Sequence, residues 1–367
     1  MSKLDNVLAK ASKNMGLDIR SAREQCEEPI LFLDSCQLNY ALGGGLKLGR
    51  AYLLYGPFSQ GKTSIATYLA SQIQKKAEKK MVVYMDLEYS LDLNHCEEMG
   101  LNVDDNFKIV RPKASEDAFN LIQDLAETGE VGLIILDSLS SMESKAQLED
   151  AFGGFGGSKG AIVMSMGMKK IIPYLYNNKC TLLMIAQERQ AIGQMYGPDF
   201  TIASGGKAPL FYSSWNSRVT RTGDIIDPVT KEVIGLEIRV RNTKSKLDNP
   251  KRDANLKLYF EGGVNSEEEY LDCLVSLGIV KKTGAMYEVE NNAWGMGKVR
   301  GIEAVKTFLK EHKEIYDLVK IQVNKALMGH NVLDDREKDE SDELILDEET
   351  GEVLNMDDID KNYKEEG

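Results

Sequence analysis

One short stretch constrains this chain more than any other. Residues 51–55 read AYLLY, an apolar run. Gly56-Pro57-Phe58-Ser59-Gln60-Gly61-Lys62-Thr63 follows, and Ser64 opens SIATYLASQI, whose apolar residues recur at helical spacing. The octapeptide fits G-x-x-x-x-G-K-[ST], and a strand leading in with a helix leading out is the context that pattern requires. The glycines let backbone N–H groups wrap a phosphate, and the helix N-terminus adds the positive end of its dipole. Residues Gly56 to Ser64 are therefore expected to hold ATP. Lys62 neutralises the β- and γ-phosphates, and the Thr63 hydroxyl ligates Mg²⁺.

Strand and helix patterns then alternate. Apolar runs at 50–55, 81–87, 107–110, 131–137 and 180–187 are separated by helical periodicity near 61–76, 92–99, 115–127 and 160–177. Such alternation means βαβ units, and it predicts an α/β fold with a mostly parallel, doubly wound sheet. Runs at 214–221, 234–241 and 255–260 read as antiparallel additions. Helix-like segments 267–277, 299–311 and 315–327, around a Tyr- and Trp-containing stretch, predict a small α+β C-terminal domain. Leu4, Val7, Leu8, Ala11 and Met15 predict a short N-terminal amphipathic helix that packs onto something. The expected division is 1–29 (helix and linker), 30–263 (core), 264–330 (C-terminal domain) and 331–367 (acidic tail).

Two strands end in acids. LIILDS ends at Asp137, at the C-terminal edge of a parallel sheet, where a carboxylate faces the nucleotide crevice and holds Mg²⁺ through water. VVYMDLE sets Asp86 and Glu88 two apart, on one face if the strand continues. Glu88 is the candidate base that orients and deprotonates the attacking water. A solvated carboxylate at a strand end has the same local pattern.

The net charge of −13 argues against a nucleic-acid binder until it is located. Residues 331–367 hold 16 Asp and Glu against 4 Lys and Arg, which leaves 42 against 41 for the rest. Such a tail is expected to be a solvated, disordered extension. It can also act as an electrostatic gate that competes with DNA for basic surface. No apolar run has bilayer-spanning length and the N-terminus lacks a signal pattern, so a soluble, cytoplasmic protein is expected. Five cysteines without a C-x-x-C pair predict reduced, mostly buried thiols, and the three histidines show no zinc-ligand spacing.

Two segments read as mobile loops. Residues 152–160, FGGFGGSKG, are too glycine-rich to pack into an ordered core and carry Lys159. Residues 188–207, ERQAIGQMYGPDFTIASGGK, carry Arg189, Met195, Tyr196, Gly205, Gly206 and Lys207. Backbone N–H groups and a few cations can hold DNA phosphates, while apolar side chains wedge between bases. A structureless loop of this length inside a compact domain is more often functional than not.

Taken in order, LNYALGGGLKLGRAYLLYGPFSQGKT, YMDLEYSLD, LIILDS, LLMIAQERQAIGQMYG, GGKAPLFY, RNTKSK and LVSLGIVKKTGAMYE resemble the bacterial RecA family, with the phage UvsX proteins as near relatives. The resemblance spans residues 30–328. It implies a RecA-type ATPase core and a Mg²⁺-dependent, DNA-dependent ATPase. It implies recombination and repair by a helical filament on single-stranded DNA that pairs with a homologous duplex and exchanges strands. Single-stranded DNA, double-stranded DNA and further copies of the chain are the implied partners, with a single-strand-binding protein and a loader beside them. Glu88 falls on the family's catalytic glutamate, and Gln187 on the glutamine that senses the γ-phosphate. Lys244 and Lys246 match the lysine pair that reaches the neighbouring protomer's ATP, and Asp92 and His95 fall on the adenine contacts. The two glycine-rich segments match the DNA-binding loops. Lys281, Lys282, Lys298 and Arg300 are candidates for duplex capture. Departures stand at Phe58, where the family keeps Glu, at His95, where it keeps Tyr, and at Ile162 and Leu210, where it keeps basic residues. Two other functions fit parts of the pattern: a ring-forming motor of helicase type, and an ATP-gated filament that only coats DNA.

Overall fold

The computed structural model describes residues 3–15, 29–149, 157–190, 200–202, 207–247, 252–289 and 292–328, with the dipeptides 345–346 and 353–354. Helix α1 (Lys3–Met15) leads. Strands β1 (Ile30–Leu31) and β2 (Leu46–Lys47) pair around α2 (Cys36–Leu42). The core then alternates β3 (Ala51–Gly56), α3 (Lys62–Lys76), β4 (Met81–Asp86), α4 (Leu93–Glu98), β5 (Phe107–Val110), α5 (Ser115–Glu127) and β6 (Val131–Asp137). After them come α6 (Lys145–Glu149), α7 (Gly157–Asn177), β7 (Thr181–Gln190), β8 (Phe200–Ile202), α8 (Ala208–Tyr212), β9 (Trp215–Ile226), β10 (Val233–Ser245), β11 (Asp253–Tyr259) and β12 (Gly263–Val264).

The main sheet runs β12-β11-β10-β9-β3-β7-β6-β4-β5. From β9 to β5 its neighbours are parallel, and β10 to β12 add on antiparallel. Side-chain alternation explains the two-sided core. On β3, Tyr52 and Leu54 pack with Ile65, Leu69 and Ile73 of α3, while Ala51 and Leu53 pack with Phe119 and Ile122 of α5 and Met168 and Ile171 of α7. Strand β6 is buried at all seven positions, as a strand covered by helices on both faces must be.

Residues beyond β12 build a second cluster. Helix α9 (Ser266–Ser276), the sheet β13 (Val280–Thr283), β14 (Met286–Val289) and β15 (Lys298–Arg300), α10 (Ile302–Glu311) and α11 (Lys313–Met328) bury Tyr270, Leu274, Tyr287, Leu309 and Val323 together. Val299 was expected in a helix but lies in β15 opposite Tyr287, because Gly301 with φ +85 turns the chain before α10 begins. On α1, Leu4 and Val7 remain 63% and 64% exposed, so its apolar stripe has no cover among the described residues. No helix among the described residues is long and apolar enough to cross a membrane. In the acidic tail, Ile345–Leu346 and Val353–Leu354 pair antiparallel, a short ladder that the expectation of disorder did not include. The rest of that tail lies outside the described residues.

Candidate active site

The turn out of β3 is built around glycine. Gly56 has φ +154, and a Cβ there would sit 2.3 Å from the Val219 carbonyl oxygen of β9, so a side chain would force the strands apart. The loop leaves Phe58 exposed but buries Lys62. The Lys62 ammonium folds back and donates to the carbonyls of Pro57 (2.5 Å) and Gly56 (3.2 Å). Burial holds its pKa below the usual lysine range, against the pull of the Asp137, Glu88 and Glu188 carboxylates. A buried cation held by loop carbonyls is ready to exchange them for charged phosphate oxygens.

Thr63, in the first turn of α3, donates to Asp137 Oδ2 at 2.9 Å, and Tyr84 donates to the same oxygen at 2.6 Å. Burial raises the Asp137 carboxyl above its ordinary 3.8; the bonds from Tyr84 and Thr63 oppose that rise, and Glu88 adds to it. Tyr84 was not picked out from the sequence. Only the strand order reveals it: Tyr84 stands beside Ile135 in the next strand, two residues before Asp137, and hence on the same sheet face. Replacing Tyr84 with Phe removes a hydrogen bond to a charged group and is expected to cost about 1.5–3 kcal/mol at neutral pH. The raised pKa means that the folded chain holds more protons than the unfolded chain above pH 3.8, so stability falls as pH rises through that interval. The variant, whose carboxyl is raised further, loses most where Asp137 is ionised and least in acid. Denaturant midpoints across pH check this.

Glu88 lies beyond β4, which ends at Asp86. The two acids do not share a strand face. Asp86 is 1% exposed and receives the Arg111 guanidinium at 2.8 Å and the Ser90 N–H at 3.1 Å, while Tyr89 at φ +56 turns the chain. Glu88 Oε1 instead accepts from Ser138 Oγ (2.5 Å) and from Gln187 Nε2 (2.8 Å). Ser138 follows the acid that ends β6, and the sequence pattern gave no reason to single it out. The phosphate loop, Glu88, Asp137 and Gln187 thus line one cleft of about 470 Å³, with Arg221 and Phe260 on its wall. Asp92 caps α4 by accepting from the Asn94 and His95 N–H groups. His95 Nε2 lies 3.2 Å from the Ser64 hydroxyl, and its ring is edge-on to Phe260 at 6.2 Å, so the pair abuts this cleft.

Lys244 and Lys246 are not brought to that cleft. Lys244 sits in β10 beside Asn216, which neighbours Leu53, so it stands three residues back along β3 from Gly56. Its ammonium donates to the carbonyls of Leu210 (2.6 Å), Phe211 (2.8 Å) and Ser213 (2.9 Å), and Lys246 donates to Phe211 at 3.0 Å. Burial, then repulsion from Lys246, brings the Lys244 pKa down to about 8. Phe211 between them is 74% exposed.

Both expected loops are shorter than the sequence suggested. Residues 157–160 belong to α7, and a Cβ at Gly160 would meet Gln147 Oε1 at 2.8 Å, so this glycine serves close helix packing against α6. Lys159 falls in the first turn of that helix. Residues 188–190 extend β7 and pair with β8, Glu188 opposite Ile202 and Gln190 opposite Phe200. Arg189 lies in this ladder, and Lys207 is exposed beside α8. Met195, Tyr196, Gly205 and Gly206 lie outside the described residues. Glu188 is anchored by Arg218, whose guanidinium donates to both of its carboxylate oxygens.

A doubly wound sheet with a phosphate loop leaving one central strand, and an acid ending a second strand two places away across β7, defines a P-loop nucleotide-binding protein. The chain belongs to the RecA family of DNA recombination and repair proteins. The RecA N-terminal domain matches residues 3–265 and the RecA C-terminal domain residues 268–328. Protein RecA of Chloroherpeton thalassium is 32% identical over 302 residues, 82% of each chain. Protein RecA of a Wolbachia of Drosophila simulans is 30% identical over 356 residues, 96% of this chain and 94% of its own. Protein RecA of Rickettsia massiliae is 32% identical over 310 residues, 84% of this chain and 88% of its own.

Proposed function

We propose that this chain is a DNA-dependent ATPase. Bound to ATP, it assembles head to tail on single-stranded DNA, pairs that strand with a homologous duplex and exchanges strands. The observation that carries this reading is the path of β7. Its Gln187 amide holds Glu88 in the cleft, and the next three residues pair with β8. A change at a γ-phosphate that moves Gln187 therefore acts on the base of the 191–199 segment without an intermediary.

In this reading the residues take the following roles. Gly56 to Ser64 hold the phosphates, with Lys62 giving up its carbonyl partners for them. The Thr63 hydroxyl and the Asp137 carboxylate, 2.9 Å apart, would hold Mg²⁺, which supplies positive charge to the phosphates and keeps several waters. Glu88 takes the proton of the attacking water. Asp92 and His95 border the adenine. Lys244 and Lys246 complete the site of a neighbouring protomer, as their distance from their own phosphate loop allows; a head-to-tail contact of that kind propagates as an open helix. The exposed apolar stripe of α1 is suited to dock on a neighbour. Lys159, Arg189, Met195, Tyr196, Gly205, Gly206 and Lys207 contact single-stranded DNA. Residues 264–330, carrying Lys281, Lys282, Lys298 and Arg300, receive the duplex, and the acidic tail restrains it. Cytoplasmic location and the help of a single-strand-binding protein and a loader belong to the same reading.

Hydrolysis measured with and without single-stranded DNA tests it, with electron microscopy of the same samples. Stimulation of at least roughly tenfold, about 1.4 kcal/mol of coupling, is expected, together with open helical filaments. Hydrolysis indifferent to DNA would sink the reading. Closed rings would point to a motor.

A further inference from the structure

Away from the nucleotide site, two thiols meet where the core touches the C-terminal cluster. Cys36 opens α2 and is wholly buried; Cys273 lies in α9 and is 5% exposed. Their sulfurs are 3.5 Å apart, although 237 positions separate them in the chain. Polar groups surround the pair. The Gln37 side-chain amide donates to Cys273 Sγ at 3.2 Å. Glu269, one turn before Cys273, accepts from the Ser35 hydroxyl (3.0 Å) and the Gln37 N–H (3.2 Å), and its carboxyl also lies against the Cys36 thiol. Cys273, Glu269 and Gln37 line a cleft of about 550 Å³ between α9 and strands β10 and β11. The cleft gives a small molecule a route to Cys273, and none of these groups serves the ATP chemistry.

We propose that Cys36 and Cys273 form a reversible disulfide latch between the ATPase core and the C-terminal segment, closed by a small-molecule disulfide of the glutathione class. The sulfurs need to approach by roughly 1.5 Å to reach bonding distance. The chemistry has two steps and balances. The Cys273 thiolate attacks one sulfur of the small disulfide and expels the first small thiolate. Cys36 then loses its proton to Glu269 and attacks Cys273 Sγ, and the second small thiolate leaves. One protein S–S bond is made, the oxidant's S–S bond is reduced, and its two thiolates carry away the two protons.

The surroundings assign the order. The Cys36 S–H bond to Cys273, then burial, then the Glu269 carboxylate hold the Cys36 thiol well above its usual range. Cys273 shifts the other way because it receives the Cys36 proton; burial opposes this and the Gln37 amide supports it. Burial raises the Glu269 carboxyl to about 7, so it can take and return a proton near neutrality. By contrast, burial pushes Cys96 up to about 11 and Cys180 up to about 12, where thiols are inert. The latch stands or falls independently of strand exchange.

The test incubates the whole chain with glutathione disulfide under native conditions, alkylates the remaining thiols, and maps peptides by mass spectrometry. The expected result is a linked pair of peptides carrying Cys36 and Cys273, a mass loss of about 2 Da reversed by dithiothreitol, and no such species in Cys273→Ala. In Cys36→Ala the reaction is expected to stop at a glutathione adduct on Cys273. The wild-type map decides the matter even where a variant folds poorly. Full alkylation of both cysteines, a wild-type adduct on Cys273 that never passes to Cys36, or linkage of either to Cys96 or Cys180 overturns the proposal.

Discussion

Changing Glu88 to Gln is expected to lower ATP hydrolysis by about 10²–10⁴-fold, the range that a positioned general base contributes, with nucleotide affinity nearly unchanged. The argument rests on which oxygen is occupied. Ser138 and Gln187 both donate to Oε1, which fixes the carboxylate and leaves Oε2 without a donor among the described residues. Glutamine keeps the shape and one carbonyl oxygen, so it can still accept both bonds. Its other terminus is then an amide that cannot take a proton from water. A substitution that leaves the geometry intact and removes only the basicity separates chemistry from binding, so turnover should fall while the dissociation constant stays within a few-fold. Because the Gln187 amide still finds an acceptor, the variant should also retain its ATP-dependent response to DNA. Single-turnover hydrolysis beside equilibrium binding of a fluorescent nucleotide checks both parts. A loss of affinity as large as the loss of rate would show that Glu88 acts in binding, and a rate within tenfold of wild type would remove it as the base.

The sequence carried the sheet well and the site unevenly, for physical reasons. Strands β3 to β7 were legible because each is a short apolar run between helical periods, and parallel strands buried on both faces have no other composition open to them. The phosphate loop was legible because glycines, lysine and threonine at fixed offsets follow from phosphate geometry. Tyr84 and Ser138 were not, since their value lies in contacts with Asp137 and Glu88 across neighbouring strands, and strand order is not written in local pattern. The same limit hid the Asp86–Arg111 pair, whose partners lie 25 positions apart, and with it the end of β4 before Glu88. Glycine composition misled at 157–160. A glycine in that segment reads as a loop until the helix it packs against is known. The β7–β8 ladder was overlooked because Glu188, Arg189 and Gln190 are polar, and a two-stranded ribbon standing off a sheet needs no apolar face.

Lys62→Ala is expected to abolish hydrolysis, by a factor on the order of 10² to 10³ or more, the cost of deleting one preorganised charge or donor at a reacting centre. It is also expected to abolish ATP-dependent filament assembly. Its effect on the nucleotide-free fold runs the other way. The Lys62 ammonium is buried among loop carbonyls, and burial lowers its pKa despite three carboxylates nearby. Holding it charged therefore works against folding. Because the folded value is depressed, the unfolded chain binds more protons in the interval below 10.5, and stability rises with pH there. Alanine removes both the burden and that pH dependence, so the free variant should melt no lower than wild type and change less with pH in the alkaline range. Adding ATP and Mg²⁺ should then raise the melting point of wild type and not of the variant. A protein that loses melting temperature in the free state would show that Lys62 props up the loop, and its loss of activity would then reflect a collapsed site. A protein that keeps its fold but loses the nucleotide response assigns the lysine to the phosphates alone. The residue is then a site where the fold gives up stability to hold a charge in place before its ligand arrives.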